Sequence, residues 1–178
     1  MRNTASRFAV LLAGGDRRSI GRANEVAEIV HKRPKRFREL VACLWNEDPI
    51  VRMRAADAAE KASALRPALL APFKAEMLGL LAETTQQEIR WHLAQMIPRL
   101  KLDDAERRRA STAFNSFLSD RGSLVRTAAM QGLADLAGTD ARHRSQVADL
   151  IENLMRTGTP AMRARGRQLL RQLRGSAG

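Results

Sequence analysis

A hydrophobic residue followed by Arg recurs four times along this chain at a nearly constant interval. The four pairs are Val51-Arg52, Ile89-Arg90, Val125-Arg126 and Met162-Arg163, and their arginines lie 38, 36 and 37 residues apart. Self-similarity at such a period is typical of stacked helical arrays. The interval therefore predicts a fold built from similar helical units, and it leaves the chemistry open.

The composition agrees with a helical protein. Of the 178 residues, 44% are hydrophobic, 28% are charged and only 4% are aromatic, with no Tyr at all, which disfavours a sheet-rich fold. No stretch approaches the roughly 20 apolar residues of a membrane span. The short apolar segment 8–13 is expected to be one face of a first helix, and Cys43 has no second cysteine to pair with. We therefore expect a cytoplasmic protein with no membrane association.

Hydrophobic spacing and capping signals predict ten helices in five antiparallel pairs. Asp48-Pro49 and Thr159-Pro160 are typical helix starts, Asp140 is a candidate N-cap and Gly158 a candidate stop. First helices are predicted over residues 3–13, 35–46, 67–82, 103–118 and 141–156, and second helices over 19–31, 49–64, 86–98, 122–137 and 160–174. The connections are too short for a linker, so residues 1–178 are predicted to form a single domain.

The net charge of +12 is concentrated at the two ends of the sequence. Residues 1–38 hold 10 Lys or Arg against 3 acids, residues 39–156 hold 16 against 16, and residues 157–178 hold 5 against none. End repeats of an array need a polar outer face, but acids would serve that purpose equally well. Because both ends of the sequence carry an excess of positive charge, an anionic partner is an alternative to simple solvation.

Three stretches resemble the second helix of HEAT repeats: 48–59 (DPIVRMRAADAA), 123–133 (SLVRTAAMQGL) and 88–94 (EIRWHLA). The resemblance implies a right-handed α-solenoid of about five HEAT-like antiparallel helix pairs, whose second helices line a concave surface that binds other macromolecules. HEAT repeats commonly carry an Asp six residues before the Arg, where it can pair with Arg of a neighbouring repeat. That position holds Asn46, Thr84, Asp120 and Thr157, so the resemblance implies such a pair only at Asp120.

Helical geometry predicts which side chains of the second helices point away from the core. With Ile89 on the buried side, a rotation of 100° per residue places Trp91 roughly 160° from the centre of the buried face. The equivalent positions form a predicted groove of six residues: Met53, Asp57, Trp91, Gln95, Gln131 and Gln168. An exposed Trp is a frequent interface anchor and Gln both donates and accepts, so the groove could hold a protein partner. The alternative is that Trp91 packs on a neighbouring helix and the glutamines are ordinary surface.

The adjacent row, Arg54, His92, Ala128 and Arg165, is also predicted to be exposed.

Two basic clusters are candidate sites for anions or nucleic acid. On the last predicted helix, Arg163, Arg167, Arg171 and Arg174 form one stripe in which no acid intervenes. Like charges at this spacing repel one another, and phosphates or carboxylates would relieve the repulsion. The second cluster comprises Lys32, Arg33, Lys35, Arg36 and Arg38, and it includes the predicted start of a helix, where anions are favoured. The alternatives are that the arginine stripe is a solvated capping face and that the second cluster is a mobile basic loop.

The sequence offers little support for catalysis. It contains no phosphate-binding Gly loop, no metal-ligand spacing around His31, His92 or His143, and no cofactor motif. HEAT-like DNA glycosylases are the one enzymatic analogy, since Trp45 with Asp48 or Trp91 with Asp57 could imitate their groove residues. The sequence therefore predicts a non-catalytic scaffold for a protein partner, with nucleic-acid binding by the basic ends as the alternative.

Overall fold

The chain is all-helical in a computed structural model that describes residues 7–16 and 18–175. The described residues contain ten α-helices and no strand, which confirms the predicted all-α class. The helices are α1 Arg7–Leu12, α2 Ala23–Lys32, α3 Phe37–Ala42, α4 Pro49–Leu65, α5 Lys74–Glu83, α6 Gln87–Met96, α7 Asp104–Phe117, α8 Ser123–Ala137, α9 Ala141–Thr157 and α10 Pro160–Gly175. The predicted start of the first helix, residues 3–6, lies outside the described residues.

Side-chain caps begin several helices where the sequence predicts them. Asp48 accepts a hydrogen bond from Ile50 N at 2.8 Å, and Pro49 occupies the first position of α4. Asp140 accepts from His143 N at 3.1 Å at the start of α9. A reciprocal capping box at Asp103, which the D-x-x-E spacing would have indicated, begins α7.

The first helices of pairs two and three are shorter than predicted. The span predicted over 35–46 is α-helical only over Phe37–Ala42, with 3-10 turns at Pro34–Arg36 and Cys43–Trp45. The span predicted over 67–82 begins as a 3-10 helix, Pro67–Phe73. Pro72 has no N–H to donate and its ring disfavours α-helical geometry before it, so the α-helix starts only at Lys74.

The second helices pack side by side in sequence order. Helix α2 contacts α4, α4 contacts α6, α6 contacts α8, and α8 contacts α10, while α3, α7 and α9 pack mainly on the second helix of their own pair. The buried hydrophobic side chains form one cluster that extends from Phe8 to Leu173. Small residues permit the close approach of helices: a Cβ added at Gly132 of α8 would lie 2.7 Å from Phe114 of α7 and 3.0 Å from the carbonyl of Ala94 in α6.

Candidate binding surfaces

The repeated arginines fix the turn between the two helices of a pair. Arg52 donates to the carbonyl of Asn46 at 2.7 Å, and Arg90 donates to the carbonyl of Thr84 at 2.9 Å. Arg163 donates to the carbonyl of Gly158 at 2.5 Å. Each guanidinium thus satisfies a backbone oxygen five or six residues earlier in the sequence. These arginines have a structural role in the turn.

The position six residues before the Arg shapes the same turn. The side-chain oxygens of Asn46, Thr84 and Asp120 each accept a hydrogen bond from the N–H two residues ahead, at 2.9, 3.3 and 2.8 Å respectively. Asn, Thr and Asp all make such local turns. The three residue types are therefore interchangeable for the turn, although only the carboxylate can form an ion pair.

Two of the arginines also reach the following helix pair. Arg52 donates from Nε to Gln86 at 2.9 Å, and Arg90 donates from Nη1 to Asp120 at 2.8 Å. The predicted Arg–Asp pair is therefore present at Asp120. The side chain of Asp120 is only 4% exposed. The Nε of Arg126 is buried without a hydrogen-bond partner among the described residues.

The environment of Asp120 favours its charged form. Burial alone would raise the pKa of this carboxyl group, because a carboxylate loses hydration. The opposing hydrogen bonds come from Gly122 N–H, Arg90 and Gln87, and together they hold the pKa of Asp120 below its usual value. A charged Asp120 therefore links α6 to the turn before α8.

The row predicted to be exposed beside the groove is largely buried, so that prediction was wrong. Arg54 is 2% exposed, His92 5% and Ala128 8%, whereas Arg165 is exposed. An interior second helix has neighbours on both sides as well as its own first helix, so its buried arc is wider than that of a surface helix with one apolar stripe. Among the four helices of this row, α10 alone has a second helix on just one side, and its Arg165 is exposed.

Arg54 is a structural clamp on the turn between α1 and α2. Its guanidinium donates to the carbonyls of Leu12 at 2.8 Å, Gly14 at 2.5 Å, Asp16 at 3.1 Å and Ser19 at 3.0 Å. Five N–H groups in a fixed fork suit this task, because a buried guanidinium needs many acceptors. Gly21 has φ of +51° and a Cβ there would lie 2.7 Å from Arg54 Cζ, so the turn requires glycine.

His92 and Trp91 form a stacked pair within α6. Their ring centroids lie 4.8 Å apart with an interplanar angle of 13°. Burial lowers the pKa of His92, and this effect outweighs the nearby carboxylates, which favour the imidazolium. Those carboxylates belong to Asp57, Glu60 and Glu88. His92 is thus a neutral packing residue, and Trp91 is half-buried against the core.

The predicted groove residues lie on four successive second helices. Met53, Asp57, Trp91, Gln95 and Gln131 are half-buried, and Gln168 is exposed. Several already have side-chain partners: Asp57 accepts from Lys61 at 2.7 Å, Gln131 donates to Asp135 at 2.8 Å, and Gln168 accepts from Arg165 at 3.3 Å. Asp135, which sequence reasoning missed, also accepts from Gln172 at 3.3 Å and so links α8 to α10.

A cleft of about 350 Å³ lies beside Trp91, between the starts of α6 and α8. Its walls include Glu88, Trp91 and Leu124, and the Leu124 side chain is 59% exposed. Helical spacing alone could have identified Leu124, because it precedes the buried Val125 and points away from it. The cleft combines aromatic and aliphatic walls with one carboxylate.

The basic cluster between α2 and α3 is partly engaged. Lys32 pairs with Glu28 at 3.1 Å, and Arg36 pairs with Glu39 at 2.5 Å while lying 4.1 Å from the Phe8 ring centroid. The remaining cations, Arg33, Lys35 and Arg38, are exposed without an ion-pair partner among the described residues.

The arginine stripe on α10 is also partly compensated, contrary to its expected isolation. Arg174 pairs with Glu152 of α9 at 2.5 Å, and Arg163 binds the carbonyl of Gly158. Only Arg167 and Arg171 are exposed with no partner among the described residues. The expectation failed because it considered only the helix itself, whereas Glu152 is supplied by the helix beside it.

The residues of the enzymatic analogy have structural partners. Asp48 caps α4 and Asp57 pairs with Lys61, while Trp45 is 46% exposed outside the second-helix layer.

The described residues contain no group of three or more His, Cys, Asp or Glu placed to hold a metal. None of their helices combines the length and apolar character needed to cross a bilayer. No protein-family model matches the chain, and no curated protein matches it either.

Proposed function

We propose that this chain is a HEAT-like, right-handed α-solenoid that acts as a non-catalytic scaffold. Its second helices would line a concave face that binds a protein partner. The consecutive contacts of α2, α4, α6, α8 and α10, each with its own first helix, support the solenoid arrangement. A cytoplasmic location is part of the same proposal.

The observation that carries this function is the cleft beside Trp91. It lies at the open edge of the α6–α8 contact and is lined by the half-buried Trp91 and the exposed Leu124. Aromatic side chains in such positions dominate the energetics of protein interfaces. An apolar side chain of a partner fits this cleft, with Glu88 at its wall.

The acidic and amide groups of the second helices favour a protein partner over nucleic acid on this face. Asp57, Glu88 and Asp135 supply carboxylates, which repel phosphates. The amides of Gln95, Gln131 and Gln168 can donate to and accept from the main chain of an extended segment. We infer that the partner presents an extended or helical segment with one apolar anchor and few acids.

The test is affinity capture of the full chain from a native lysate, with two tryptophan variants compared. Trp91→Ala should remove a stoichiometric protein partner, whereas Trp45→Ala, which deletes an exposed Trp elsewhere, should retain it. Gln95→Arg provides a second groove variant in case Trp91→Ala lowers stability. The proposed function would be rejected if both groove variants still captured the partner, or if the wild type captured no stoichiometric partner.

A further inference from the structure

The segments that connect one helix pair to the next lie along a single edge of the molecule. Arg99, after α6, donates to Glu60 at the end of α4, and Lys74, at the start of α5, pairs with Glu106 at the start of α7. Arg107, in the first turn of α7, donates to the carbonyl of Leu136 at the end of α8 at 3.1 Å. The ends of second helices and the starts of first helices are therefore neighbours throughout. We name segments 31–39, 65–77, 97–109 and 138–144 the basic edge.

Positive charge is concentrated on the basic edge. Its four segments contain 14 Lys or Arg against 6 Asp or Glu, a formal charge of +8 out of the total of +12. The turns within pairs lie at the opposite edge. Segments 13–16, 18–25, 45–52, 83–90, 118–126 and 156–163 contain 8 Lys or Arg against 7 acids, a charge of +1. Within the neutral middle of the sequence, the edge segments 65–77, 97–109 and 138–144 carry +4, whereas the turn segments 45–52, 83–90 and 118–126 carry −1.

About half of the cations on this edge are not used by the fold. Lys32, Arg36, Lys74 and Arg99 form ion pairs, and Arg107 and Arg144 bind backbone carbonyls. Eight others are exposed and have no hydrogen-bond or ion-pair partner among the described residues: Arg33, Lys35, Arg38, Arg66, Lys101, Arg108, Arg109 and Arg142. They belong to every connecting segment of the edge, so each of the four segments contributes at least one free cation.

Cations of the edge, both free and ion-paired, line three clefts. One cleft of about 450 Å³ between the second and third pairs is lined by Lys35 and Arg38. The next, of about 500 Å³, is lined by Lys74, Arg99 and Lys101. A third, of about 520 Å³ between α7 and α9, is lined by Arg107 and Arg108 but also by the carboxylates of Asp104 and Asp140. The first two clefts, which no carboxylate lines, could therefore each hold an anionic group.

We propose that the basic edge binds nucleic acid through its phosphate backbone, without reading base sequence. Packed helices lie 8–10 Å apart, so the three intervals between four connecting segments span roughly 24–30 Å, which suits a long polyanion better than a single anion. Arginine, which supplies 26 of the 31 basic residues, binds phosphate in a bidentate manner. A membrane surface fits less well, because Leu65 is the one large hydrophobic side chain of the described residues exposed on this edge. This surface is separate from the groove and does not depend on the protein-binding proposal.

The test measures fluorescence anisotropy of a labelled 30-base-pair DNA duplex and a 30-nucleotide RNA with the full chain at 50 and 200 mM NaCl. The edge variant carries Arg38→Gln, Lys101→Gln and Arg108→Gln. The matched control carries Arg18→Gln, Arg121→Gln and Arg156→Gln, which removes the same charge from exposed residues near the opposite edge. All six side chains are exposed, so circular dichroism and thermal unfolding should match the wild type.

We expect wild-type affinity to fall steeply with salt, because bound phosphates release counterions. The edge variant should bind at least about tenfold more weakly, with a salt slope smaller by about three, whereas the control should change less than about threefold. Equal losses in both variants would show attraction by net charge alone and overturn the proposal. So would the absence of nucleic-acid binding at 50 mM NaCl. Sedimentation with phosphatidylserine vesicles that depends on the edge, without edge-dependent nucleic-acid binding, would assign the surface to membranes instead.

Discussion

The guanidinium of Arg90 and the carboxylate of Asp120, 2.8 Å apart, join the third helix pair to the fourth. Asp120 also accepts from Gln87 at 2.6 Å and from Gly122 N, so one buried carboxylate closes its own turn and binds two side chains of α6. Asn46 and Thr84 make the same local turn but lack the carboxylate that such an ion pair requires.

Removing Asp120 should therefore lower stability. Asp120→Ala leaves Arg90 and the N–H of Gly122 without their acceptor, and we expect a loss of about 2 kcal/mol in the free energy of unfolding at pH 7. Asp149→Ala, which removes an exposed carboxylate from α9, should change it by less than about 0.5 kcal/mol. Urea unfolding measures both, and equal effects would contradict the assigned role.

The same pair predicts a dependence on acid. The pKa of Asp120 is lower in the folded chain than in the unfolded chain. Its contribution is therefore complete above the ordinary Asp pKa of about 3.9, and it is lost as the pH falls towards the lower folded value. The stability difference between wild type and Asp120→Ala should shrink below about pH 4, as measured by urea unfolding between pH 3 and 7. A difference that stays constant over this range would rule out the charged Asp120.

His92 should make the protein less stable in mild acid. Burial lowers its pKa in the folded state, so the unfolded chain takes up a proton first as the pH falls through about 6.5. Stability should fall below that pH by up to about 1.4 kcal/mol per pH unit, and His92→Gln should remove this slope. His31→Gln, at an exposed site, should retain it. Chemical unfolding at pH 7.5 and 5.5 measures the slope, and an unchanged slope in His92→Gln would contradict the assignment.

Arg54 should be irreplaceable by lysine. Lys keeps the charge but cannot direct its donors at four backbone carbonyls, so we expect Arg54→Lys to lower the free energy of unfolding by about 3 kcal/mol. Hydrogen exchange should also accelerate in the turn between α1 and α2. Arg66→Lys, at an exposed position, is the control and should be nearly neutral. A neutral Arg54→Lys would show that the clamp is dispensable.

Two glycine-to-alanine changes should have opposite effects. Gly79 lies in α5 with nothing within 4 Å of an added Cβ, so Gly79→Ala should stabilise the chain by about 0.5–1 kcal/mol through helix propensity. At Gly132 the same Cβ would meet Phe114 and the Ala94 carbonyl, and Gly132→Ala should destabilise by about 1–2 kcal/mol. Thermal unfolding gives the sign of each change. Stabilisation by Gly132→Ala would contradict the close packing of α6, α7 and α8.

Local patterns in the sequence predict the helices well but not their full surroundings. The caps at Asp48 and Asp140 depend on a few neighbouring residues, so they are visible in the sequence. Arg54 is buried against carbonyls of the α1–α2 turn, 35 or more residues away, and His92 lies near Asp57 and Glu60 of α4. One helix considered alone cannot show either environment. The basic edge was missed for the same reason, since its charge is gathered from four separate segments.

We propose that one helical array carries two separate binding surfaces. The most direct test measures both activities in parallel on the Trp91→Ala variant and on the edge variant with Arg38, Lys101 and Arg108 replaced by Gln. We expect opposite losses: Trp91→Ala should lose the captured protein partner and still bind duplex DNA, whereas the edge variant should lose duplex DNA and keep the partner. Loss of both activities in either folded variant would contradict the claim.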